Sequence, residues 1–267
     1  MGASLGESFR GVAYQPQGDA YFDDGRELEL LQFVLDHPDV DQLKGNPQRV
    51  LNAIDEFSRT RKYLMNIGEY KLKTVVDLIK ARKPQVMVEI GGYVGYSAIA
   101  FSTALREAGG TAYYSLERNP EFGKVITQLV DLAGLGDMVK VIVGLSSDSL
   151  RQLHADGALP HIDLLLLDHY KQLYTDDLKI CEELGLIEVD TILAADNVIK
   201  PGNPPYTEYV RSSVGKKREN AALVTESGLR GNPNLLYESR LIEGREPSGV
   251  PDEIEVTRCV AIRKAAI

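Results

Sequence analysis

Five short apolar runs, at residues 86–90, 112–116, 139–143, 162–167 and 191–195, recur along the middle of the chain. Amphipathic stretches around 96–107, 120–133, 147–153 and 172–184 fill the intervals. Strands apolar along their whole length must be covered on both faces, and the helices between them supply the cover. The alternation therefore predicts an α/β, doubly wound and mostly parallel sheet. Two closing segments, 235–242 and 253–262, have no helix between them. They read as an antiparallel C-terminal hairpin at one edge, with 243–251 as a long connection, which brings the sheet to seven strands.

Upstream the apolar residues recur at three and four, the spacing of one helix face. This predicts N-terminal helices from Glu27, over 48–58, and after Met65-Asn66-Ile67-Gly68 through Leu72, Val75, Val76 and Ile79, ending before Pro84. Residues 1–25 carry no period and are expected to form a flexible N-terminal arm, leaving 26–267 as a single domain. Basic residues number 30 against 39 acidic ones, a net charge of −9. That balance argues against nucleic acid or an anionic membrane as partner, since both attract a basic face. No obligate protein partner is evident. Cys181 and Cys259 have no metal or redox spacing and read as buried thiols of a reducing compartment. No apolar run approaches the roughly 18 residues of a membrane span, and no signal core opens the chain. A cytoplasmic protein is expected.

In an open α/β sheet ligands bind beyond the carboxyl ends of the strands, so each strand end can be read in turn. The first ends in Glu89-Ile90-Gly91-Gly92-Tyr93-Val94-Gly95-Tyr96-Ser97. Glycines there allow a tight turn and close approach of a ligand, and the following helix offers free amides. The pattern G-x-G-x-x-G of dinucleotide enzymes is not met, which weakens a nicotinamide-dependent oxidoreductase. Glu89 favours a cationic or amine-bearing ligand. The second strand ends at Glu117, where a carboxylate suits a ribose diol; a solvated surface glutamate is the alternative. The fourth ends in Asp168-His169-Tyr170-Lys171 and the fifth in Asp196-Asn197. Two aspartates at neighbouring strand ends crowd like charges unless a cation lies between them. Two carboxylates and an amide oxygen are hard ligands suited to magnesium. Each aspartate taken singly also fits a helix N-cap. His169 lacks a zinc partner at ligand spacing and suits an aromatic base or a structural role. Lys171, three residues beyond Asp168, is in a position to accept a proton.

These motifs resemble those of the catechol O-methyltransferase family, the divalent-cation-dependent class I O-methyltransferases. Asn46-Pro47-Gln48-Arg49-Val50-Leu51, Ala53-Ile54-Asp55 and Ala195-Asp196-Asn197-Val198-Ile199 extend the resemblance, which covers roughly residues 27–212. It implies a Rossmann-like methyltransferase fold, S-adenosylmethionine (SAM) and Mg2+ as cofactors, and a small aromatic diol as substrate. Asp168, Asp196 and Asn197 are then the metal ligands. Lys171 is the general base, assisted by Asn197 and by a glutamate on the penultimate strand that grips the second hydroxyl, for which Glu238 is the candidate. Glu117, with Arg118 beside it, holds the ribose. Ile67, Glu89, Gly91, Tyr93 and Ser97 surround the methionine portion, while Ser146, His169 and Tyr170 lie against the adenine. The chain departs from the family in having no tryptophan: Tyr63 and Tyr170 stand where the family has Trp. Arg118 and Lys200 replace apolar residues and point to a more polar or acidic diol. Two further readings remain: a related methyltransferase for CoA-linked or larger phenolic substrates, and a SAM-binding protein without catalysis.

Overall fold

A computed structural model describes residues 22–223 and 228–263. Most of the arm expected over 1–25 lies outside the described residues. The strands are β1 (Val86–Ile90), β2 (Ala112–Glu117), β3 (Val139–Val143), β4 (Leu164–Leu167), β5 (Ile192–Ala195), β6 (Leu235–Arg245) and β7 (Pro251–Ile262). They form one seven-stranded sheet in the order β3-β2-β1-β4-β5-β7-β6. The first five are mutually parallel; β7 runs antiparallel to β5, and β6 antiparallel to β7. The expected fold class is the one observed.

Period-two alternation divides the core between the two faces. Met87, Leu164, Leu166 and Ala194 face one layer, built from α1 (Arg26–Leu35), α3 (Pro47–Thr60), α4 (Gly68–Arg82), α5 (Tyr96–Glu107) and α6 (Pro120–Leu132). A short α2 (Val40–Leu43) leads into that layer. Val88, Ile90, Leu165, Leu167 and Leu193 face the other layer, built from α7 (Ser146–Ala155), α8 (Tyr174–Glu183) and α9 (Pro204–Arg211). Local chemistry sets the helix starts. Asn46 accepts from the Arg49 amide at 3.1 Å ahead of Pro47, and Asn119 accepts from the Glu121 amide at 2.9 Å ahead of Pro120. An asparagine cap followed by proline satisfies one orphan amide and removes another.

Three expectations are corrected. The closing strands run longer than 235–242 and 253–262, with Gly244 paired to Asp252 and Arg245 to Pro251. The connection is the five-residue turn 246–250 rather than a long loop over 243–251, because Gly244 continues the strand where a turn was read. The helices α9 and α10 (Val214–Ala221) were not anticipated, and neither was the kinked turn Val198–Gly202, whose Lys200 is extended at φ −132°. In the last helix the buried side chain is Lys217, so no apolar stripe announces it.

Candidate active site

The turn after β1 passes unusually close to the end of β4. A Cβ on Gly91 would lie 2.2 Å from the Asp168 carbonyl oxygen and 3.0 Å from His169 Cβ, and Gly91 sits at φ +100°. Glycine alone admits both the contact and the angle. The turn is then tied to β2: the Tyr93 amide donates to Glu117 Oε2 at 2.9 Å and the Asn119 amide to Oε1 at 2.8 Å. Burial pushes the Glu117 carboxyl upward, against the pull of these amides. Beneath the turn Glu89 is wholly buried, accepting from Ser97 Oγ at 2.8 Å and from the Tyr113 hydroxyl. Burial pushes it up to about 8. Ile67 is buried immediately before α4, whereas Arg118 is exposed and contributes its amide beside Glu117.

The ends of β4 and β5 lie side by side, Leu167 being in register with Ala195. Asp168 and Asp196 therefore emerge as neighbours. Lys171 Nζ donates to Asp168 Oδ1 at 3.3 Å and to the Tyr174 hydroxyl at 2.7 Å, and that hydroxyl donates to the Asp196 carbonyl at 3.2 Å. Asn203 Nδ2 holds the Lys171 carbonyl at 2.7 Å. His169 stacks on Tyr174 with ring centroids 4.9 Å apart and has Nε2 2.8 Å from Asp177 Oδ2. Ser146 Oγ donates to the same Asp177 oxygen at 2.7 Å. The expected adenine residues Ser146 and His169 thus share one buried acceptor, while Tyr170 is 63% exposed at the rim. Asp177 was not singled out in the sequence, where Asp176-Asp177 reads as an ordinary acidic first turn of α8.

A second polar cluster meets Asp196 from behind. Lys71, fully buried on α4, lies 2.7 Å from Asp196 Oδ1 and donates to Asp196 Oδ2 at 2.9 Å, Glu246 Oε1 at 2.6 Å and Asp252 Oδ2 at 3.0 Å. Asn197 Nδ2 donates to Glu246 Oε1 at 2.6 Å and Asp252 Oδ2 at 3.1 Å. Burial holds Asp196 up at about 6, with Lys71 opposing and Asp168 adding to the shift, and holds Glu246 up at about 7. Lys200 is exposed, its amide bonded to Asp252 Oδ1 at 3.0 Å.

Glu238 is not part of this arrangement. It is exposed on β6 opposite Arg258, which is itself opposite Ile192, the first residue of β5. That level is the amino end of the sheet, away from Asp196. The glutamate that reaches Asn197 is Glu246.

Several buried atoms have no hydrogen-bond partner among the described residues. Asp196 Oδ1 is one: close to Lys71, but out of line for a bond. Asp168 and Asp196, at the ends of adjacent strands, and Asn197 are hard oxygen donors that fit a divalent cation in chemistry, although no cluster of three His, Cys, Asp or Glu side chains suited to a metal occurs among the described residues. Glu27 Oε2, Asn66 Nδ2 and His169 Nδ1 are likewise orphaned. Together with the glycine cradle they fit a ligand carrying both donors and acceptors. Glu27, brought in by α1, takes the Tyr93 hydroxyl at 2.8 Å and was also missed in the sequence, where it reads as a first-turn charge.

A mostly parallel sheet with a glycine turn, a buried carboxylate and paired aspartates at its carboxyl edge gathers these polar groups where open α/β sheets bind their ligands. The family model for O-methyltransferases matches residues 49–226. The catechol O-methyltransferase of Bos taurus is 37% identical over 188 residues, covering 70% of this chain and 67% of its own. The transmembrane O-methyltransferase of Homo sapiens is 32% identical, covering 70% of this chain and 62% of its own. An SAH-bound methyltransferase of Podospora anserina has the same fold, with a TM-score of 0.56 at 22% identity over 91% of this chain and 98% of its own. The chain belongs to the O-methyltransferase family, within it to the SAM-dependent enzymes of the catechol O-methyltransferase type. No helix among the described residues is long and apolar enough to cross a membrane.

Proposed function

We propose that the protein transfers the methyl group of SAM to one hydroxyl of a catechol-type aromatic diol, with magnesium held by Asp168, Asp196 and Asn197. The observation that carries this reading is Lys171 Nζ, 3.3 Å from Asp168 Oδ1 at the shared end of β4 and β5. A candidate base and the proposed metal ligands thus meet at one point. When bound, magnesium supplies Lewis-acid polarisation of the diol oxygens.

The chain's own groups do the rest. Lys171, in its neutral form, takes the proton of the attacking hydroxyl at Nζ, held in place by the Tyr174 hydroxyl. The oxygen forms a bond to the methyl carbon as the sulfur–methyl bond breaks, and the electron pair of that bond returns to sulfur, leaving a neutral thioether. Glu246, rather than Glu238, accepts from the second hydroxyl and so fixes which oxygen attacks. Glu117 receives the ribose, and Glu89 faces the cationic methionine end. Ser146, His169 and Tyr170 receive the adenine. Alignment of this kind supplies roughly 7–11 kcal/mol of the barrier in favourable cases. Cytosolic residence belongs to the same proposal, supported by the free buried thiols Cys181 and Cys259.

The test is methyl transfer from SAM to a simple catechol, first with magnesium and then with excess chelator. Turnover abolished by chelator supports the proposal. Absence of turnover despite cofactor binding overturns the catechol assignment in favour of larger phenols or a non-catalytic role.

A further inference from the structure

Lys71 has no exposed surface, yet its single positive charge is shared among three carboxylates from separate parts of the chain. Asp196 ends β5, Glu246 opens the β6–β7 turn, and Asp252 lies near the start of β7. A buried ion pair is a weak source of stability, because desolvation offsets most of the attraction. What such a cluster supplies is geometry. Both Lys71 and Asn197 donate to the same oxygen, Glu246 Oε1, which fixes that carboxylate from two sides.

The backbone makes room for the arrangement at two glycines. A Cβ on Gly244 would lie 2.7 Å from Lys71 Cγ, so the stem of the lysine lies against the end of β6. A Cβ on Gly68, at φ +76°, would lie 3.0 Å from the Pro247 ring, so the first turn of α4 lies against the β6–β7 turn. The same first turn follows Asn66 and Ile67, on the expected methionine side of the cofactor. Lys71 thus spans from the donor side of the site to the acid that faces the acceptor.

We propose that Lys71 is a positioning residue that clamps the β6–β7 turn against the end of β5 and thereby sets the orientation of Glu246 toward the second hydroxyl of the diol. The proposal rests on the catechol reading above. It acts through Glu246 and Asn197; Lys71 itself touches neither substrate nor cofactor.

The experiment compares the full chain with Lys71→Met, Lys71→Arg, Glu246→Gln and the Lys71→Met/Glu246→Gln double variant. Two readouts are taken: amide hydrogen exchange over residues 246–250, and the ratio of the two monomethyl products from 3,4-dihydroxybenzoate, whose hydroxyls are inequivalent. Loss of the clamp is expected to raise exchange in the turn roughly tenfold or more, as a locally opened segment does. In Lys71→Met the product ratio should move toward equality, with kcat/KM for the diol down about a hundredfold. The double variant should shift the ratio no further than either single one. Lys71→Arg keeps the charge, but its planar fork cannot point at three carboxylates around one atom, so it should shift both readouts in the same direction. A Lys71→Met protein that melts lower but keeps the wild-type exchange and product ratio overturns the clamp. If Lys71→Met does not fold, wild-type exchange and product ratio in Lys71→Arg overturn it equally. Absence of methyl transfer by the wild type overturns the catechol reading instead, and the exchange comparison still decides for or against the clamp.

Discussion

The backbone amide of Tyr93 donates to Glu117 at 2.9 Å and thereby joins the turn after β1 to the end of β2. With the Asn119 amide on its other oxygen, the carboxylate is held by backbone alone and cannot swing. Glu117→Ala should weaken SAM binding roughly tenfold to a hundredfold, the worth of one or two hydrogen bonds to a charged group. Calorimetric titration checks this, and an unchanged dissociation constant removes Glu117 from the cofactor site.

Lys171 should separate chemistry from binding. In Lys171→Ala, kcat is expected to fall about 10²–10⁴-fold, the usual contribution of a positioned base, while SAM affinity stays within about twofold. Steady-state kinetics with catechol, paired with cofactor titration, measures both. Equal losses in the two would make Lys171 a structural residue.

Glu89 gives a pH dependence with a defined sign. Burial raises its carboxyl from an ordinary value of 4.5 to about 8 in the folded chain. The folded state therefore holds this proton where the unfolded chain has released it. The resulting stability is fully present below pH 4.5 and is lost as pH rises to about 8. In the cofactor-free protein the melting temperature should decline across that window, and Glu89→Gln should flatten the decline. SAM affinity should run the other way, rising by up to about tenfold per pH unit, because only the ionised carboxylate complements a cation. Thermal melts and binding titrations across this range give the answer, and a flat wild-type profile refutes it.

Gly91→Ala combines a strained angle with a collision against the Asp168 carbonyl at 2.2 Å. Its cost should exceed about 3 kcal/mol by denaturant unfolding. Gly109→Ala provides the control: its φ is +90° but no atom lies within 4 Å of the added Cβ, so about 1 kcal/mol is expected. Equal costs at the two positions would mean that the contact with β4 does not constrain the turn.

Two glutamates on the C-terminal pair can be told apart directly. Glu246→Gln should lower kcat/KM for catechol by roughly tenfold to a hundredfold, and Glu238→Gln should leave it within about twofold. The reverse result would return the substrate contact to Glu238.

The central strands and helices were legible because apolar runs and helical spacing coincide there: β1, β3 and α5 fall at the expected residues. The C-terminal pair was less so. Glu243-Gly244-Arg245 has the composition of a turn, yet it pairs with Pro251, Asp252 and Glu253 as strand, a tertiary pairing that its composition does not announce. Glu238 was named from the resemblance, which is loose over the closing strands, and Glu246 lay in the expected connection. The candidates Glu89, Glu117, Asp168, Lys171, Asp196 and Asn197 could be singled out because each lies in or just beyond the carboxyl end of a strand. Glu27, Lys71 and Asp177 were missed because each occupies a helix, where a charge ordinarily marks the solvent face. Their roles depend on tertiary contacts across 66, 125 and 31 residues, which no local pattern encodes.

The strands β6 and β7 span 11 and 12 residues beside a β5 of 4. The pair therefore overhangs the sheet like an awning, and its five-residue tip supplies the acid assigned to the acceptor. The groups assigned to the methyl donor all come from earlier in the chain. The acid assigned to the acceptor is thus written in one short stretch, while Lys71 and Asn197, which hold it, come from earlier in the chain. Retailoring such a scaffold to a different hydroxyl compound therefore calls for changes over 246–250 made together with Lys71 and Asn197.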